Sequence, residues 1–109
     1  MSADKYFSMT YTAPFSATPI TVATTVGGTV IAAANDTRKE ITLQNNGTQP
    51  CIICLGGTPT TTNYHLVLAK ATANRDGLGA SITLDWYKGA ITGLTESSTT
   101  VISVMEIID

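Results

Sequence analysis

Glu40-Ile41-Thr42-Leu43-Gln44-Asn45-Asn46-Gly47-Thr48-Gln49-Pro50-Cys51-Ile52-Ile53-Cys54-Leu55 is the stretch whose reading decides the fold class. In its first half Ile41 and Leu43 alternate with Thr42 and Gln44, the period of a strand with one buried face. Its second half, Cys51 to Leu55, is a short apolar run that Gly56-Gly57 closes. Asn46-Gly47 lies between them, the dipeptide favoured in two-residue hairpins because a type I′ turn needs positive φ at both central residues. The stretch therefore reads as two strands joined by a hairpin.

The same period of two extends in both directions. Ile20 and Val22 alternate with Thr21 and Ala23, and Gly27-Gly28 then turns the chain. Val30–Ala34 resumes before Asn35-Asp36. Further on, Tyr64, Leu66 and Leu68 share one parity, and Ile82, Leu84 and Trp86 share another, which makes Trp86 an expected core residue. Lys88-Gly89 and Glu96-Ser97-Ser98 read as the turns of the last two hairpins. Val101–Ile108 is apolar on both parities, so it is expected to be central in a sheet or covered by a partner. No window shows the stripe of an amphipathic helix. The chain reads as all-β: one antiparallel β-sandwich or jelly-roll-like barrel of about eight to nine short strands. Residues 1–18, ahead of or spanning Pro14 and Pro19, form an N-terminal strand or an extended arm, and residues 19–109 form the sandwich, a single domain overall.

Composition narrows the function. The 109 residues carry 13% charged side chains and a formal net charge of −2, which argues against a nucleic-acid or anionic-membrane partner. No apolar run approaches a membrane span. Twenty threonines leave the polar surface to neutral hydroxyls and amides. Cys51-Ile52-Ile53-Cys54 has redox or zinc spacing, but on a strand positions i and i+3 face opposite ways, so the two read as small buried hydrophobes. His65 is the only histidine and reads as a partly buried strand residue. The carboxylates are scattered and read as solvated turn residues. No acid–base, nucleophile or metal constellation is visible, so the expectation is no enzyme, no cofactor and no metal.

Tyr6, Phe7, Met9, Tyr11 and Phe15 place five large side chains within ten positions of the N-terminal region. If this segment is an arm, its apolar side must be covered by another chain. These five are the candidate subunit or capsid contacts. Trp86 and Tyr87 are the only aromatic pair that could serve a glycan-binding module.

Leu43–Pro50, Cys54–Pro59, Tyr64–Lys70, Asp76–Gly79 and Trp86–Leu94 together resemble segments of small β-sandwich structural proteins of tailed-phage virions, over roughly residues 36–107. Capsid decoration or cement proteins are the most similar in size. The resemblance implies a non-enzymatic protein on the outer capsid surface of a virion, bridging neighbouring major capsid subunits. It implies a homo-oligomer, most often a trimer, and offers no catalytic residues. A head-fibre, tail or adhesin domain is the alternative.

Overall fold

The computed structural model describes residues 15–108. Within them the alternating segments form eight strands: β1 (Phe15–Val22), β2 (Thr29–Ala32), β3 (Arg38–Asn45), β4 (Cys51–Leu55), β5 (Leu66–Leu68), β6 (Ser81–Leu84), β7 (Ile91–Leu94) and β8 (Thr100–Ile108). They build two four-stranded sheets of order β1-β8-β3-β6 and β2-β7-β4-β5, with every pairing antiparallel. This is the expected sandwich. Residues 15–18 belong to β1, while Tyr6, Phe7, Met9 and Tyr11 lie outside the described residues.

The connectivity differs from the expected hairpins. Among the consecutive strands only β4 and β5 pair, and every other connection carries the chain across to the opposite sheet. Asn46-Gly47 is therefore a crossover, and Gly47 is not among the residues with positive φ. Its glycine requirement comes from space. A Cβ there would stand 2.0 Å from Thr100 Oγ1 and 2.6 Å from the Val101 nitrogen. Lys88-Gly89 and Glu96–Ser98 likewise join strands of different sheets. A turn signal reports a change of direction and leaves the next partner strand open.

The core lies between the sheets. Val22, Ile41, Leu43, Ile53, Ile91 and Ile102 are fully buried, with Cys51, Leu68 and Leu84 beside them. Each such burial contributes about 1.5–3 kcal/mol. β8 sits between β1 and β3, so its two apolar parities divide between core and outer face. Trp86 and Tyr64 fall just outside β6 and β5, and both are exposed, contrary to the parity reading.

Asn45 ties the crossover to the core. It is fully buried and its amide is saturated: Nδ2 donates to the carbonyls of Gln49 (2.8 Å) and Leu68 (3.0 Å). Its Oδ1 accepts from the Gly47 N–H (3.1 Å) and the Thr100 hydroxyl (2.7 Å). A buried amide with every group paired adds specificity at little desolvation penalty.

Candidate interaction surfaces

The outer face of the β1-β8-β3-β6 sheet is built from the residues that do not point at the core. Register places Thr42 between Met105 and Thr83, and Gln44 between Ser103 and Ser81. Pro19 and Thr21 of β1 flank Ser103 and Val101. Met105 is 43% exposed, with Val101 and Ile107 half-buried along the same strand. Among the described residues of these rows Glu40 is ionisable, and exposed Lys39 stands beside it at the bulge of β3. The polar side chains satisfy one another. The Thr42 and Thr83 hydroxyls are 2.8 Å apart, Gln44 Nε2 reaches the Gly77 and Gly79 carbonyls, and Asn46 Nδ2 donates to Ser103 Oγ. Covering such a face strips little water from unpaired groups, so little desolvation opposes docking.

The other sheet presents a different surface. Ile52 and Leu94 point away from the core, and the β4–β5 connection folds back over them with Pro59 buried beneath. Clefts open on both sides of this strap. One, of about 190 Å³, is lined by Pro50, Ile52, Thr61, Tyr64, Val67 and Glu96 among others. The second, of about 250 Å³, is lined mainly by Thr24, Val26, Pro59, Thr60, Thr61 and Leu94. Tyr64 and Val67 are 48% and 47% exposed, and Val26 is almost fully so.

Arg38 closes one end of the sandwich. The parity of β3 would place it on the outer face with Thr42 and Gln44, but the register shifts between Arg38 and Glu40. The bulge turns the side chain inward, where it is 1% exposed. Its Nε contacts Glu106 Oε2 at 2.6 Å, Nη1 donates to the Tyr87 (3.2 Å) and Gly89 (2.8 Å) carbonyls, and Nη2 donates to the Ala33 carbonyl (2.6 Å). Lys88 Nζ donates to the carbonyls of Asp36 and Arg38. Together they lock the β2–β3 and β6–β7 connections onto β8. Nothing in the sequence marked Arg38 as internal, because the bulge that turns it has no residue signature, and Glu106 was read as a solvated group.

The remaining chemically able groups serve the backbone. His65 is exposed, not half-buried as expected, and its Nδ1 accepts the Leu55 N–H at 3.0 Å. Cys51 and Cys54 are buried free thiols; only Cys51 joins the core cluster, as opposite strand faces require. Burial pushes the Cys51 thiol up to about 11, against an opposing backbone hydrogen bond at Leu94. Asp76 accepts N–H bonds from Leu78, Ala73 and Thr72, in that order of effect, and these hold its carboxyl below the usual range. Trp86 is 64% exposed and meets Tyr87 edge-on, with ring centroids 5.6 Å apart. Among the described residues no three His, Cys, Asp or Glu side chains gather as a metal site, and no helix is long and apolar enough to cross a membrane.

Of the five expected contact residues, Tyr6, Phe7, Met9 and Tyr11 lie outside the described residues. Phe15 opens β1 opposite Ile107.

No protein-family model matches the chain, and no curated protein matches it. One solved structure does: a chain from Bacillus endospore appendages, which form a family of disulfide-linked pili. It is 17% identical, covers 87% of this chain and 86% of its own, and superposes with a TM-score of 0.41.

Proposed function

We propose that this chain is a non-enzymatic structural protein that decorates and stabilises a phage capsid. It lies on the outer capsid surface and bridges neighbouring major capsid subunits. The observation that carries this reading is the outer face of the β1-β8-β3-β6 sheet, sparsely charged and internally hydrogen-bonded, with Val101, Met105 and Ile107 set along β8. It is consistent with the sequence resemblance to capsid decoration proteins.

Magnitude shapes the proposal. Strands ~4.8 Å apart and about seven residues at ~3.4 Å each give a four-stranded face of roughly 450 Å². That is about half of the ~800 Å² each partner buries in a standard interface. One copy on one face therefore binds weakly, and stable decoration requires several copies acting together. Linked copies raise avidity by about 10²–10⁴ over a single site. A homo-oligomer, most simply a trimer, meets that requirement.

Co-sedimentation with expanded, undecorated capsids tests the reading. Saturable binding at a ratio fixed by capsid symmetry is expected, and absence of binding to intact expanded shells would reject it. The exposure of Trp86 beside Tyr87 favours a second reading, a fibre or adhesin domain that binds host-surface glycans. Hits on a glycan array that vanish in Trp86→Ala would select it.

A further inference from the structure

We infer that the cleft beside the β4–β5 strap lined by Tyr64 and Glu96 binds one ring of a neutral saccharide. It lies on the β2-β7-β4-β5 sheet, so the inference does not depend on what the opposite sheet docks on. The site is also separate from the Trp86–Tyr87 pair.

The fold holds the lining of this cleft in place. Ile52 and Val67 pair across β4 and β5. Tyr64 is positioned by its neighbour His65, whose N–H donates to the Ile53 carbonyl (2.9 Å) and whose Nδ1 accepts the Leu55 N–H (3.0 Å). Thr61 sits inside a closed turn, where the Thr60 N–H donates to the Asn63 carbonyl (3.0 Å) and Asn63 Nδ2 to the Thr58 carbonyl (2.8 Å). Gln49 is held through both backbone and side chain: its carbonyl accepts from the buried Asn45 amide (2.8 Å), and its Oε1 accepts the Ser97 hydroxyl (3.2 Å). Glu96 follows Thr95, which is buried, donates its N–H to the Ala23 carbonyl (3.1 Å) and its hydroxyl to the Ser98 carbonyl (2.7 Å). A ligand entering here meets a preformed site, and little ordering of the protein opposes binding.

The polar groups at the cleft are nevertheless unpaired. Gln49 Nε2, the Glu96 carboxylate and the Tyr64 and Thr61 hydroxyls have no partner among the described residues. On the outer face of the other sheet, by contrast, hydroxyls and amides satisfy one another. The cleft thus offers amide donors, a charged acceptor and two hydroxyls that can act either way, next to the Tyr64 ring and the apolar Val67 and Ile52. An apolar ligand would leave those polar groups buried and unpaired. An anion would meet Glu96 and find no cation among the lining residues. An ammonium group would pair with Glu96 and leave the Gln49 donors without an acceptor. Neighbouring hydroxyls of a pyranose serve both: one donates to Glu96, the next accepts from Gln49, and the C–H face of the ring lies on Tyr64, which is 48% exposed. The volume of about 190 Å³ falls below the ~300–1,000 Å³ of sites that enclose drug-sized ligands. One ring therefore enters and the rest of a glycan stays outside. Binding by a single ring is weak, roughly millimolar.

The test titrates the full chain with the methyl glycosides of glucose, galactose and N-acetylglucosamine to tens of millimolar, with glycerol as the control polyol. Backbone amide proton–nitrogen correlation NMR reads the result. Saturable shifts are expected with at least one glycoside and none with glycerol, centred on the amides of Gln49, Thr61, Tyr64 and Val67. Glu96→Gln and Tyr64→Ala, both at exposed positions, should each weaken that binding about tenfold or more, the effect of losing a hydrogen bond to a charged group or its apolar platform. Unchanged core amides show that each variant is folded, and Gln49→Leu replaces Tyr64→Ala if that variant disturbs them. Absence of saturable shifts with all three glycosides, equal shifts from glycerol, shifts centred on Trp86 and Tyr87, or full binding by the folded variants would each overturn the inference.

Discussion

Replacing Arg38 by Met keeps most of the aliphatic volume and deletes the guanidinium that ties two connections to β8. In the native protein that group meets Glu106, itself only 20% exposed, and donates to the Tyr87, Gly89 and Ala33 carbonyls. Removing one partner of a buried pair costs about 3–5 kcal/mol, since the other is left uncompensated. Partial wetting of Glu106 and the released carbonyls favours the lower end, ~3 kcal/mol. Against a total of roughly 5–15 kcal/mol for a domain of this size, that is a large fraction. In urea, with a slope of about 1–1.5 kcal/mol/M, the unfolding midpoint should fall by ~2–3 M at unchanged slope. Arg38→Met/Glu106→Leu, which removes both charges, should recover part of the loss. An Arg38→Met protein within ~0.5 kcal/mol of the parent, the range of an ordinary surface change, would refute the assignment of Arg38 as an internal clamp.

Gly47→Ala should destabilise by about 1–3 kcal/mol or more through overpacking against Thr100 and Val101, whereas Gly77→Ala, where φ is +80° and nothing lies within 4 Å, should cost only ~1 kcal/mol; thermal unfolding compares them. Neither Cys51 nor Cys54 should react with a thiol reagent at neutral pH until the chain unfolds, since both are buried and the Cys51 thiol is raised to about 11. Asp76 has its folded pKa depressed, so its stabilising effect is complete above the unfolded carboxylate pKa of about 3.9 and is lost as pH falls through the lower folded value. Asp76→Asn should therefore flatten the acid limb of the stability profile.

Local alternation made the fold class legible. Ile41 and Leu43 are core and Thr42 and Gln44 are not, and Val101–Ile108, apolar on both sides, is indeed a central strand. Strand partners were not legible, because the pairing of β1 with β8 or β3 with β6 is set by distant segments that no turn residue encodes. The Asn46-Gly47 signal was real as a change of direction, yet the glycine is required by the Thr100 hydroxyl and the Val101 nitrogen pressed against it. Parity failed where it was carried past a strand end: Trp86 lies beyond Leu84 and Tyr64 precedes Leu66, so neither shares its neighbours' burial. Arg38 failed for a related reason, a bulge that reverses one side chain. The clefts beside the β4–β5 strap could not be foreseen, since they form only where that connection meets Ile52 on one side and Leu94 on the other.

The central claim, that the β1-β8-β3-β6 outer face is the docking surface, has a natural reporter in Met105, whose thioether oxidises readily when solvent reaches it. Its oxidation by dilute peroxide should be followed by peptide mass spectrometry in the free protein and in capsid-bound particles at matched concentration. The account predicts that capsid binding strongly protects Met105. Stoichiometric binding with Met105 oxidised at the free-protein rate would contradict it.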